Sequence, residues 1–281
     1  MHTGRPDQYL IRITLFMAFF LNSFLLSAQM GKNGALTTST SIILNDYTTL
    51  TSDVSSGSNT INVASSLLNS KLPLPLTAGD LIFIIQMQGA TMTTPDDSTY
   101  GSLISYNNCG NFEFVEVASV PSSTQITTVC QLKNSYTASG RTQVVRVPRL
   151  TTLTVGPGGV MTCPAWDGST GGVLILEVQN GIVMNTGGLI TATGKGFRGG
   201  QNASDNNTAW GVLNYTWPTN DYGAEKGEGV GGSQSDYDAM TGRYCKGAPL
   251  NGGGGASAHN AGGGGGGNCG TLGWTGRGVP D

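Results

Sequence analysis

The chain has 281 residues, of which 44 are Gly, 11% are charged, and the formal net charge is −3. Charged residues usually make up about a quarter of a cytosolic globular chain. So low a density, with no Lys/Arg cluster, gives a nucleic-acid partner nothing to hold on to. Apolar runs lie before about residue 195 and glycines gather after it, which predicts an ordinary β domain followed by a compositionally different C-terminal third.

The first element is a leader. Arg5 and Arg12 flank a basic start, Ile13 to Leu26 is an apolar run, and Ser27 and Ala28 are small. The run is shorter than the roughly 20 residues a spanning helix needs. The layout predicts export, with cleavage between Ala28 and Gln29. No second apolar run of that kind follows, so no transmembrane segment is expected in the mature chain. In an exported protein the five cysteines read as disulfide candidates. Cys109 and Cys130 are the expected pair because they flank one hairpin, and the pairing of Cys163, Cys245 and Cys269 stays open.

Residues 29–150 carry period-two alternation and β-branched residues. Strands are predicted at 59–64, 79–89, 112–120, 124–130 and 141–148. In 112–117, Phe112, Phe114 and Glu116 alternate with Glu113, Val115 and Val117, and Pro121-Ser-Ser-Thr124 supplies turn chemistry, so 112–130 reads as a hairpin. Short strands with turns between them predict a small β-barrel or sandwich. Residues 151–200 hold short apolar runs at Val173–Val178, Ile182–Met184 and Leu189–Thr193, separated by Asn180-Gly181 and Gly187-Gly188. Asn-Gly between strands is a hairpin signal, giving a meander in which Val178 faces Val183. The alternative is a right-handed parallel β-helix with glycines at its corners. On the meander reading Leu174, Leu176 and Val178 line one buried face. The fold class expected is mainly β: a small barrel or sandwich, then β-helix-like or meander strands, then a Gly-rich region.

These residues are similar to a known family. Residues 78–90 (AGDLIFIIQMQGA), 100–120, 134–155, 164–178 and 192–200 resemble the N-terminal module of large secreted surface proteins of gliding bacteria, the adventurous-gliding-motility type and its type IX-secreted, adhesin-like relatives. The segments IIQMQGA, QVVRVP and GFRGG are the most specific. The resemblance implies an exported, non-enzymatic surface protein and transfers no catalytic residue. Such proteins are longer, with repeats and a C-terminal sorting domain, so this chain reads as a possible N-terminal piece of one.

The last third, 201–281, mixes glycine with Trp210, Tyr215, Trp217, Tyr222, Tyr237, Tyr244 and Trp274. A flexible linker rarely carries such rings. Ordered loops or backbone-packed layers are one reading. Runs such as Gly262–Gly267 also suit extended, polyproline-II-like strands, which lack Cβ atoms and pack closely. Ordering glycine is costly, so this third is expected to need a continuation of the chain or a partner and to be cut by protease before 1–200.

Catalytic chemistry finds little support. The GxGxxG match at 227–232 has no strand–helix context. His259 is the sole histidine after the leader, on a Gly loop unfit to hold a triad. Asp236 and Asp238 read as solvated loop acids. Paired carboxylates for glycoside cleavage would come from Glu177, Asp205, Asp221, Glu225 or Glu228, with nothing to single out a pair. No cofactor or metal is implied. The function expected is a secreted adhesin-like surface or matrix protein. Its alternatives are a glycan-binding module stacking sugars on Trp210, Trp217 and Trp274, and a polysaccharide-cleaving β-helix. Expected partners are extracellular polysaccharide or other surface proteins.

Overall fold

The structure is a computed structural model that describes residues 30–203, 214–257, 261–267 and 273–276. The leader and its cleavage site at Ala28 and Gln29 lie outside these residues, as do Trp210, His259 and Cys269. Among the described residues, sixteen short strands and one short helix make the protein mainly β.

The six-stranded sheet is built from β3 (Asp46–Thr49), β4 (Thr60–Asn62), β5 (Leu81–Gln86), β8 (Phe112–Ser122), β9 (Gln125–Thr128) and β10 (Thr142–Val147), in the order β3-β10-β5-β8-β9-β4. All five strands expected from alternation are present. The sheet is antiparallel and curls around a core of Ile61, Ile82, Ile84, Val115, Val117, Ile126, Tyr136 and Val144, a half-barrel. Its other face carries Phe83, Val145 and Val147, packed against Val173 and Ile175. Every residue of β10 is buried, because both of its faces are covered. Two shorter strands, β6 (Thr91–Met92) and β7 (Leu103–Ser105), form a separate ribbon beside the sheet.

The expected hairpin 112–130 forms as β8 and β9. The expected bridge across it does not: Cys109 and Cys130 are free thiols. Strand β8 lies between β5 and β9, and the chain before it turns toward β5. There Cys109 is buried and its Sγ lies 3.3 Å from the Met87 carbonyl. Cys130 is exposed just beyond β9, on the other side of β8. The two thiols therefore approach the hairpin from opposite flanks.

A parallel solenoid carries the sheet. The first rung is β1 (Leu36–Thr38) and β2 (Ser41–Ile43). The second is β11 (Arg149–Leu150), β12 (Leu153–Val155) and β13 (Val160–Thr162). The third is β14 (Glu177–Val178), β15 (Ile182–Met184) and β16 (Leu189–Ile190). Pairing is parallel throughout: β1-β12-β15, β2-β13-β16 and β11-β14. The β-helix alternative therefore stands, and the Asn180-Gly181 hairpin does not form; the chain turns there into a strand that pairs with β12. Residues 36–43, grouped with the barrel from sequence, belong to the first rung, so the sheet is an insertion between the first and second rungs. Leu150, Leu153, Val155 and Met161 are buried in the solenoid core, with Leu174, Leu176 and Val178 packed on them.

Polar contacts lock insertion to solenoid. The Asn45 side chain donates to the carbonyls of Arg146 (3.0 Å) and Ile175 (2.7 Å) and accepts from Ile175 N–H. Arg149 pairs with Glu116 of β8 (3.0 Å) and Glu177 of β14 (2.6 Å). Lys32, just ahead of β1, reaches Asp80 of the insertion at 2.9 Å, and Asp80 is held from inside the insertion by the buried Arg146 at 3.0 Å, which also donates to the Leu68 and Leu74 carbonyls. A buried pair that loses one partner leaves an uncompensated charge. Asp80→Leu, which leaves the buried Arg146 without a counter-charge and releases Lys32, is expected to lower the unfolding free energy by about 3–5 kcal/mol. Leu153→Ala, which opens a cavity between rungs, is expected to cost about 3 kcal/mol. Urea denaturation checks both, and a loss under about 1 kcal/mol for either would contradict this account of the junction.

Candidate functional site

Beyond the third rung the chain builds layers of extended backbone. The segment around Gly253–Gly255 hydrogen-bonds to four neighbours. Gly227 N–H donates to the Gly253 carbonyl (2.7 Å), Gly254 N–H to Trp274 (3.0 Å), Gly255 N–H to Cys245 (2.9 Å), and Gly264 N–H to Gly254 (2.8 Å). Partners on several sides distinguish this packing from a sheet. A Cβ added at Gly253, Gly254, Gly255, Gly264, Gly273 or Gly276 would fall on a neighbouring carbonyl, yet none of the six has a left-handed φ. Glycine is required here for space, as at a collagen axis. Among the described residues the chain's own sheet loops hold part of the last third. Gly89 N–H donates to Val230, the Gln88 side chain to Gly229, and Asp96 accepts from the backbone N–H groups of Tyr215 and Thr216. Ala90, Met92, Tyr100, Tyr237 and Leu250 form a shared core.

Helix α1 (Gln234–Met240) delivers Tyr237 into that core. Its start is a capping box, in which Ser233 N–H donates to Asp236 Oδ2 at 2.7 Å. Asp236 is therefore a helix cap and not a loop acid, and the Ser-x-x-Asp spacing was the signal for it.

Lys226 is the pin of this unit. It is fully buried. Its Nζ donates to the carbonyls of Tyr215 (2.5 Å), Cys245 (3.0 Å) and Gly247 (2.8 Å) and lies 4.5 Å from the centre of the Tyr100 ring. Burial pushes its ammonium down to about 7, while three carbonyls and a ring face oppose that shift. Lys226→Met would strand the buried Gly247 carbonyl, at about 1–3 kcal/mol, and would remove one of two donors from the Tyr215 and Cys245 carbonyls, which keep the Gly247 and Gly255 N–H groups. It is expected to expose residues 214–257 to protease while the half-barrel stays folded. Gly255→Ala is expected to do the same, and Gly265→Ala to be silent, because a Cβ at Gly265 meets nothing within 4 Å. Limited proteolysis with mass mapping reads all three; equal sensitivity of the two glycine variants would exclude close packing as the reason for glycine.

A cleft of about 730 Å³ opens between residues 196–202, 224–228 and the glycine layers 251–256 and 261–267. Its floor is peptide backbone. Among the described residues the N–H groups of Gly199, Gly200, Gly253, Gly263 and Gly266 have no acceptor. Its side chains come in charge pairs. Arg198 bonds Glu228 through Nε (2.9 Å) and Nη2 (2.5 Å), which raises the pKa of the guanidinium, and Arg198 is half exposed over a fully buried carboxylate. Beside it Arg243 bridges Glu225 (3.1 Å) and Asp238 (3.4 Å). Gln201 and Asn251 add amides. Donors and acceptors thus sit side by side at fixed spacing, two guanidinium groups against three carboxylates, an arrangement that can bind hydroxyl groups.

The expected site residues fall unevenly around this cleft. The Trp274 ring is 74% exposed, while its peptide is held in the layers by Gly254 and Gly265. Trp217 is half-buried, bridges to Tyr244 and packs edge-on against Tyr222 at 4.9 Å, a cap over the unit's own backbone. Trp210 lies outside the described residues. Of the candidate acids, Glu225 and Glu228 line the cleft, whereas Glu177 serves the rung junction. Arg198, Arg243 and Lys226 were not foreseen. Arg198 lies inside the GFRGG segment that carries the family resemblance, and that was the one signal available for it.

Among the described residues no helix is long and apolar enough to cross a membrane. No family model matches the chain, and no curated protein sequence matches it. Solved structures that align with part of this chain, at low similarity, include three tailspikes. The tailspike gp61 of Pseudomonas phage phi297 is 15% identical over 46% of this chain and 21% of its own, with a TM-score of 0.25. The Gp54 tailspike of Acinetobacter baumannii bacteriophage AP22, solved with A. baumannii capsular saccharide, is 20% identical over 46% and 23%, at 0.25. The tailspike gp49 of Pseudomonas phage LKA1 is 21% identical over 44% and 20%, at 0.22.

Proposed function

We propose that this protein is an exported cell-surface protein of adhesin type whose glycine-layered unit binds polysaccharide, with Trp274 as its stacking residue. The observation that carries this reading is a solvated indole on a backbone fixed through both its N–H and its carbonyl. A large flat ring that needs no ordering loses little entropy on binding, and its face suits the C–H face of a sugar. Next to its strand, the cleft offers donors and acceptors with one carboxylate more than guanidinium, which favours a neutral sugar over an anionic one. Export follows from the leader, and a part in gliding or surface attachment is what the family resemblance implies. A glycan array of the full exported chain is the test. Binding to one or more neutral polysaccharides is expected, and Trp274→Ala should weaken the best of them about tenfold, equivalent to about 1.4 kcal/mol, with thermal unfolding unchanged. Silence across the array, or full binding by the variant, would defeat the proposal.

A second reading is favoured by Glu225 and Glu228 lining one cleft: cleavage of the bound polysaccharide by paired carboxylates. Both acids are engaged by arginine in ion pairs, so binding without cleavage is the preferred form. New reducing ends that vanish in Glu228→Gln would reverse that preference.

A further inference from the structure

We infer that the two ends of the solenoid are complementary docking edges, and that copies of this chain stack head to tail, the first rung of one on the third rung of the next. The argument starts from the columns that cross the rungs. Leu36, Leu153 and Ile182 form one, Thr38, Val155 and Met184 a second, and Ile42, Met161 and Ile190 a third. In the middle rung Leu153, Val155 and Met161 are fully buried, because a strand lies on either side. In the third rung two of the three column positions are open: Ile182 is 47% and Met184 45% exposed, with Leu189 nearby at 49%, while Ile190 is half-buried. In the first rung Leu36 and Ile42 are half-buried.

Hydrogen-bond parity matches as well. Leu153 N–H donates to Gly181 and Asn185 N–H to Val155, so the peptide groups of Ile182 and Met184 point away from β12. Leu36 N–H donates to Thr152 and Gly156 N–H to Thr38, so the peptide of Thr37 points outward at the other end. A second copy placed one rung on would set its Thr37 over Val183, as Thr37 already stands beside Thr154, and Thr154 beside Val183. The second strand agrees: Ser41 of the copy would lie over Leu189 and its Ile42 over Ile190, the register both strands already keep on β13. No shift is needed at either strand.

Among the described residues neither edge is guarded. Exposed strand edges are normally blunted by charge or proline, and solenoids end in polar capping repeats. Here 36–43 (LTTSTSII) and 181–190 (GIVMNTGGLI) contain no charged residue and no proline. A second copy is the occupant that supplies the right strands, spacing and aliphatic columns together. Contact between unlike edges is heterologous and does not close on itself, so the product is a rod.

The test is sedimentation velocity on the full exported chain over a hundredfold range of concentration, with two variants at exposed positions. Val183→Lys blocks the third-rung edge and Thr37→Lys the first. The wild type is expected to form a concentration-dependent ladder of elongated species. Each variant alone should be monomeric, with unchanged near-ultraviolet circular dichroism. Mixed together they should form a one-to-one dimer and nothing larger, since each retains the edge the other lacks. Ser41→Lys serves in place of Thr37→Lys should that variant fail to fold. A monomeric wild type at every concentration, a Thr37→Lys chain that dimerises by itself, or a mixture that stays monomeric would each overturn the proposal.

Discussion

The parallel ladder between β1 and β12 is the contact on which the rest of the molecule depends. It joins Leu36–Thr38 to Leu153–Val155 across the whole inserted sheet. Parallel strands cannot be joined by a tight turn, and the chain between them must fold into something of its own. Here that connection is the half-barrel. Its first and last strands, β3 and β10, are paired with each other, which brings the two ends of the insertion to one place. The ladder and the sheet therefore fix one another, and Asn45 sits where they meet, satisfying Arg146 on the sheet side and Ile175 on the rung side. A long-range pairing of this kind forms late and against loop entropy, which is consistent with the density of polar locks at the junction.

The same junction explains how one extended segment serves two cores. In residues 173–178 the period of two sends Leu174, Leu176 and Val178 into the solenoid and Val173 and Ile175 onto the back of the sheet. A strand with apolar residues on both faces is what burial between two layers demands. The outer face of the sheet is covered only as far as this segment reaches. Beyond it Phe112 and Phe114 stay exposed beside Phe83, with ring centres 5.7 Å and 4.8 Å away.

Much of this was legible in the sequence, and the omissions have physical causes. The half-barrel strands announced themselves because one face of each is apolar. Strands β1 and β2 did not, because Thr and Ser dominate 36–41 and their partner lies far along the chain; local pattern carries no trace of a distant parallel ladder. At Asn180-Gly181 the local rule pointed to a hairpin, yet in a solenoid the same dipeptide turns a corner, and only the next rung decides between them. Cys109 and Cys130 looked like partners because proximity in sequence across a hairpin ignores which flank of the strand each approaches from. Trp274 was visible as a ring among glycines. Arg198, Arg243 and Lys226 were not, since what makes them matter is the buried carboxylate or carbonyl each finds at long range.

Glycine in the last third resolves an apparent contradiction between cost and order. Ordering each residue costs about 1–2 kcal/mol of backbone entropy, and glycine lies at the upper end. Side chains could not offset that over so many positions. Removing them, however, lets each strand take partners on several sides, as Gly253–Gly255 does, so that peptide groups and close atomic contact replace apolar burial. Close approach leaves no room for a misfit, and the unit must therefore be anchored at points where real side chains can act: Lys226 inside, Tyr237 against the sheet, Arg198 on Glu228 at the rung. Once anchored, such layers present rigid amides and carbonyls directly at the surface, with no flexible groups above them to lose entropy when a ligand binds. A backbone-rich surface is in this sense a preorganised one, and a lone ring such as Trp274, held in it by its own peptide, gains from its setting what it could not gain from a loop.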